Sequence, residues 1–113
     1  MSYSIEVLEA ARVDIDEIYD YIANVLHNPI AAIRRVALIE QAIASLDESP
    51  GRFAPVRDDQ LALEGYRMIV VKNHLVFFVI CEPEKLVSVE RVLYGRRNWQ
   101  RILKDKHDEG ETT

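Results

Sequence analysis

GYRMIVVKNHLVFFVICEPEKLVSVERVLYG, residues 65–95, is the stretch whose reading decides the fold. Three runs rich in β-branched and aromatic residues, Tyr66–Val71, His74–Cys81 and Leu86–Tyr94, are separated by the short polar breaks Lys72-Asn73 and Glu82-Pro83-Glu84-Lys85. Runs of this length punctuated by turn residues predict three consecutive, mostly antiparallel strands. The middle run is apolar without interruption, which predicts a central strand covered on both faces. In the last run Leu86, Ser88, Glu90, Val92 and Tyr94 should point one way, and Val87, Val89, Arg91 and Leu93 the other.

Working upstream, residues 48–64 hold Pro50, Pro55 and several charges without clear periodicity and read as a connecting loop. Before it lie two helical patterns. Ala11, Ile15, Ile18, Ile22 and Val25 recur at three- and four-residue steps, so one face of a helix over about 9–26 is apolar. Asn28-Pro29 then supplies an N-cap and a first-turn proline for a second helix. Its inward stripe is read as Ile33, Val36, Ala37, Glu40, Ile43, Ala44 and Leu46 or Asp47, ending at Pro50-Gly51. Residues 2–8, with Ile5, Val7 and Leu8, read as a short first strand. Downstream, a short helix from about Arg97 or Asn98 brings Trp99, Ile102 and Leu103 together, and the polar tail 104–113 is expected to be disordered.

The expectation is therefore an α+β domain over residues 1–103: a short N-terminal strand, an antiparallel helical hairpin packed on a mostly antiparallel four-stranded sheet, and a short C-terminal helix. The second sheet face is left without a helix of its own. Since neither face of the last strand is cleanly polar, that open face is expected to receive something from outside the chain.

At 113 residues there is room for one domain. The single cysteine, Cys81, excludes an internal disulfide and suits a reducing compartment. Met1–Glu6 lacks the pattern of a signal peptide, and the longest apolar run, Leu75–Cys81, is far short of the ~20 residues that span a bilayer. A cytoplasmic protein with no membrane contact is expected. Net charge is −5, but residues 1–64 carry twelve acids against five bases, while residues 65–106 carry nine bases against four acids. Such a split suggests a basic working surface on an acidic scaffold.

There is no glycine-rich phosphate loop, no Cys-x-x-Cys pair and no His-Glu-x-x-His helix, so neither a metal nor a cofactor is expected. His27, His74 and His107 have no metal-ligand spacing. What remains is Arg91-Val92-Leu93-Tyr94-Gly95-Arg96-Arg97-Asn98-Trp99-Gln100-Arg101, four arginines and two aromatic residues in eleven positions. Arginine forks grip phosphate and aromatic faces stack on bases. Arg67, Lys72 and His74 on neighbouring strands belong with this group as candidate partner-binding residues. Alternatively, Trp99 packs in the core with Ile102 and Leu103, and Arg96, Arg97 and Arg101 form a solvated basic end or meet acidic residues of a partner.

The Gly65-Tyr66-Arg67 strand entry, the His74–Val79 strand and the final Val89-Glu90-Arg91-Val92-Leu93-Tyr94-Gly95-Arg96-Arg97 strand end resemble the C-terminal half of RelE/ParE toxins, and the upstream hairpin with its acidic Asp14–Ile18 stretch is similar to the same family. The resemblance covers about residues 2–103 and implies the toxin of a type II toxin–antitoxin pair, wrapped by the extended C-terminal segment of a cognate antitoxin. RelE-like members cut mRNA in the ribosome. ParE-like members share the fold and poison DNA gyrase.

A RelE-like reading would make Arg67, Tyr94, Arg96 and Arg97 catalytic. Against it, Leu75 stands where those toxins carry a second strand arginine, and no tyrosine or histidine follows Trp99 before His107. Tyr94, with an ordinary pKa of ~10, is a poor general base. The preferred expectation is the ParE-like gyrase poison, with the mRNA endoribonuclease and an inactive interaction module as alternatives.

Overall fold

The computed structural model describes residues 2–111, with side chains as far as Asp105. Its order is β1 (Ser4–Val7), α1 (Glu9–Asp20), a π-helical turn (Tyr21–Val25), α2 (Pro29–Ala44), two 3₁₀ turns (Ser45–Asp47 and Pro50–Arg52), α3 (Asp59–Leu63), β2 (Tyr66–Val71), β3 (His74–Cys81), β4 (Leu86–Tyr94) and α4 (Trp99–Glu111). The sheet runs β1-β4-β3-β2, with β1 parallel to β4 and the other pairs antiparallel. This is the expected α+β architecture.

Local chemistry explains the element ends. Asn28 Oδ1 accepts the Ala31 N–H at 3.1 Å, with Pro29 in the first turn of α2. Gly65 follows α3 at φ +97°, a left-handed position that closes the helix and starts β2 without a Cβ penalty. β3 is central and covered on both sides. Val76 and Phe78 face the helical hairpin, in a core with Ala11, Ile39, Ile43, Leu46, Ile69, Val87, Val89 and Val92. Leu75 and Phe77 face the other way, against Val56, Leu61, Tyr66, Leu93 and Leu103. Phe77 and Phe78 are fully buried, and each such side chain contributes about 2–3 kcal/mol relative to exposure.

That second core corrects the sequence reading. The segment 48–64 is not featureless: it contains α3, capped where Asp58 Oδ1 accepts the Leu61 N–H at 3.0 Å. With α4, this helix covers the face expected to be open. Trp99 stacks on Phe77 with ring centroids 5.1 Å apart, Ile102 packs beside it, and Lys104 pairs with Asp58 at 2.9 Å. The apolar character of both faces of β4 is therefore satisfied within the chain. α4 also continues beyond Leu103, with backbone helix to Glu111; residues 112–113 of the expected tail lie outside the described residues.

Three side-chain assignments are also corrected. On α2 the buried residues are Ala32, Ile39 and Ile43, whereas Ile33, Ala37 and Glu40 face solvent. Val25, assigned inward on the first helix, is 59% exposed because the hairpin tip projects past the sheet. On β4 the simple alternation fails. Phe77 pairs with Arg91 and Phe78 with Val89, so Glu90 is an extra residue, a β-bulge that resets the side-chain phase. Val92 thereby joins Val87 and Val89 in the hairpin-side core.

The bulge coincides with the end of β1, whose last pair is Val7 with Val89. Beyond it the outer edge of β4 meets α1 instead of a strand. Asp14, 5% exposed, accepts the Val92 N–H at 2.9 Å and takes Arg91 in a two-point contact, Nε at 2.7 Å and Nη2 at 2.9 Å. This settles the direction of Arg91: it reaches the first helix. Replacing Asp14 with Ala removes the acceptor of a buried amide and the carboxylate that Arg91 grips at two points, and should cost about 3 kcal/mol in denaturant unfolding. A loss below about 1 kcal/mol would show that the clasp is dispensable.

Candidate functional site

A cleft of about 710 Å³ opens where the hairpin overhangs the ends of β3 and β4. One wall is α1 and its π-helical turn, with Asp14, Glu17, Ile18, Tyr21 and Ile22; the other is the β2–β3 turn and the end of β4, with Asn73, His74, Tyr94 and Arg97. α2 contributes Ala31 and Arg35. The π-helical turn closes on the Leu26 N–H donating to Tyr21 O at 3.0 Å. Its extra residue shifts the helical phase where Tyr21 and Leu26 meet the cleft, a position where such turns are often found.

Arg35 organises one side. Its Nη1 donates to Asn73 Oδ1 at 2.6 Å and to His74 Nδ1 at 3.0 Å, tying α2 to the β2–β3 turn. A guanidinium can only donate, so His74 Nδ1 is the acceptor and the ring proton sits on Nε2. Burial, and then the charge of Arg35, push the His74 pKa below its ordinary value. Tyr94 meets this ring edge-on at 5.9 Å between centroids. The imidazole is therefore a neutral donor, with neither nitrogen free to take a proton. Such a site can bind; general-base catalysis by His74 is not available in this arrangement.

The sequence candidates are only partly brought together. His74, Tyr94 and Arg97 line the cleft; Lys72 and Arg96 lie exposed in adjacent turns. Arg67 is elsewhere. It pairs with Phe78, four positions along β3 from the His74–Tyr94 pair, a separation of roughly 13 Å. Its guanidinium donates to the carbonyls of Phe53 and Gly51, holding the 3₁₀ segment against β2. Arg91 is engaged by Asp14, Trp99 stacks on Phe77, and Arg101 pairs with Asp105 at 3.6 Å on the exposed side of α4. Arg67, Tyr94, Arg96 and Arg97 thus do not converge on one point.

Sequence reasoning missed Arg35, Asn73, Glu17 and the hairpin-tip residues Tyr21 and Leu26. A signal existed for Arg35: it lies three residues after buried Ala32 and four before buried Ile39, a charge on the inward stripe. Asp14 carries the same mark, three residues after buried Ala11. Among the described residues no cluster of three or more His, Cys, Asp or Glu side chains could hold a metal ion, and no helix is long and apolar enough to cross a membrane.

Residues 5–99 match the family model described as the ParE toxin of the type II toxin–antitoxin system parDE. This chain belongs to the ParE toxin family. Its fold is shared with the solved chromosomal ParDE toxin–antitoxin system of P. aeruginosa, at a TM-score of 0.68 and 21% identity over 82% of this chain and 96% of that one. It is also shared with the toxin–antitoxin complex RelBE2 of Mycobacterium tuberculosis, at 0.58 and 19% identity over 83% and 99%. No curated protein sequence matches the chain. ParE and RelE relatives thus both carry this architecture, and the family assignment rests on the sequence match.

The His74 environment makes a pH prediction for this ParE-family toxin. A histidine whose pKa is depressed by folding binds its proton more readily when unfolded, so its contribution to stability is complete above the unfolded pKa of ~6.5 and is lost as pH falls toward the folded value. The His74 ring resonances should titrate below ~6.5 by NMR, and Arg35→Met should move that midpoint upward. His74→Gln should remove the corresponding part of the acid-side stability loss in parallel urea titrations. A midpoint that Arg35→Met leaves in place would contradict the Arg35 contact.

Proposed function

We propose that this chain is a growth-inhibiting toxin neutralised by a cognate antitoxin, and that it acts by binding DNA gyrase rather than by cutting mRNA. The match to the ParE model over residues 5–99 carries this reading. The antitoxin partner is supported by the solved relatives, which are titled as toxin–antitoxin systems. The choice of gyrase over the ribosome is supported by the site chemistry. Phosphodiester cleavage needs a proton acceptor beside the attacking hydroxyl and cations converging on the scissile phosphate. Here Nδ1 of His74 accepts from Arg35, and Arg67 is occupied by loop carbonyls roughly 13 Å along the sheet. The arginines around the cleft are then a binding surface for the target or the antitoxin, with no cofactor in the reaction. The compartment in which such a toxin meets gyrase is the cytoplasm.

The experiment adds purified chain to gyrase with relaxed plasmid and, separately, to translating ribosomes with a defined transcript. Loss of supercoiling, with accumulation of cleaved DNA and an intact transcript, is the expected result. Codon-phased transcript cuts with normal supercoiling would overturn the gyrase reading and reinstate Arg67, Tyr94, Arg96 and Arg97 as catalytic candidates. No effect in either assay, together with normal growth on expression, would reduce the chain to an interaction module.

A further inference from the structure

The hairpin tip exposes large apolar side chains that nothing among the described residues covers. Tyr21 is 55% exposed, Val25 59%, Leu26 55% and Ile30 63%, all within ten residues. Tyr21 and Leu26 also line the cleft, so the apolar tip and the cleft are one continuous surface. Clustered exposure of this kind marks an interaction site rather than the scattered hydrophobes of an ordinary surface.

Charge says what fits it. The α1 side is acidic: Asp16, Glu17 and Asp20 are exposed, and Glu17 lines the cleft. The opposite side is basic: Arg96 and Arg97 are exposed, and Arg97 lines the cleft. None of these five forms an ion pair among the described residues. A uniformly acidic segment would be repelled by the α1 wall, and a uniformly basic one by the arginine wall. A second copy turned about a two-fold axis meets both requirements at once, because each acid wall then faces a basic wall twice over.

We propose that two copies of this chain associate through this surface, the hairpin tip of each lying over the cleft of the other. Glu17 of one copy faces Arg97 of the second and the reverse, with Tyr21, Val25, Leu26 and Ile30 buried between them. The association covers the cleft, so a protein that binds there competes with the second copy. The proposal does not depend on the cellular target, and its test does not involve gyrase or antitoxin.

The test is sedimentation of the full chain, made by cell-free translation, over a roughly hundredfold concentration range around ~10 μM, where interfaces of modest size assemble. The wild type should pass from monomer to dimer. Glu17→Arg and Arg97→Glu, each checked for native circular dichroism, should each weaken self-association about tenfold by placing like charges opposite one another. Mixed together, the two single variants should associate about as tightly as the wild type, since one then carries two arginines and the other two glutamates at the facing positions. A wild type that stays monomeric throughout overturns the proposal and leaves the cleft to a different protein. So does a dimer that ignores both reversals, or a mixture that fails to recover.

Discussion

The structure turns on what happens at the outer edge of β4 once β1 has ended. β1 is four residues long and pairs only as far as Val89, while β4 continues to Tyr94. An unpaired strand edge beneath a helix would bury amides without partners, which costs about 1–3 kcal/mol each. Asp14 meets that requirement by accepting the Val92 N–H from the helix side, and Arg91 compensates the buried carboxylate in turn. A charge pair of this type is only marginally favourable against an apolar replacement, but it is directional. It holds α1 at one angle and one height over β4. The hairpin tip, and with it the width of the cleft, follow from that position.

The clasp also explains why the bulge sits where it does. Inserting Glu90 between Val89 and Arg91 lets Val92 return to the hairpin-side core while the Arg91 guanidinium reaches Asp14. Glu90 itself is buried, accepting from Ser88 Oγ at 2.6 Å. Its charge, together with burial and Glu64, pushes the Tyr66 hydroxyl pKa up to about 12, with burial the largest cause. Tyr66 therefore remains a protonated phenol at the foot of the second core, outside any proton-transfer chemistry at neutral pH. Polar groups inside this small domain are spent on holding β4, and the surface left for partners is built from its two ends.

Much of this was readable in the residues themselves. The uninterrupted Leu75–Cys81 run carries both cores, and its doubly covered character follows from the absence of any polar position along it. Asn28-Pro29 is a start signal that works through two atoms, Oδ1 and the missing N–H. What could not be read has physical reasons. α3 is five residues long, too short to repeat the 3.6-residue amphipathic period, so its only marks are the Asp58 cap before it and Gly65 after it. The bulge leaves no trace in Ser88-Val89-Glu90-Arg91, where strict alternation reads equally well. The phase of α2 slipped by one position because Ile33 and Val36 offered a stripe as apolar as the true one through Ala32, Val36 and Ile39.

The candidate site was legible in composition but not in geometry. Arginine was read as a phosphate ligand because its fork fits phosphate, but the same fork fits any pair of oxygens. In the fold, Arg67 holds loop carbonyls, Arg91 holds a carboxylate, and Arg35, hidden in the middle of a helix, holds an amide and an imidazole. Three guanidiniums near the sheet thus already hold partners within the chain. Arg96 and Arg97 remain exposed, and Arg97 shares the cleft lining with the carboxylates of Asp14 and Glu17 as well as with Arg35. The cleft carries charge of both signs beside the apolar Ile18, Ile22, Val92 and Leu93, and the proposal of a protein target rests on that mixture.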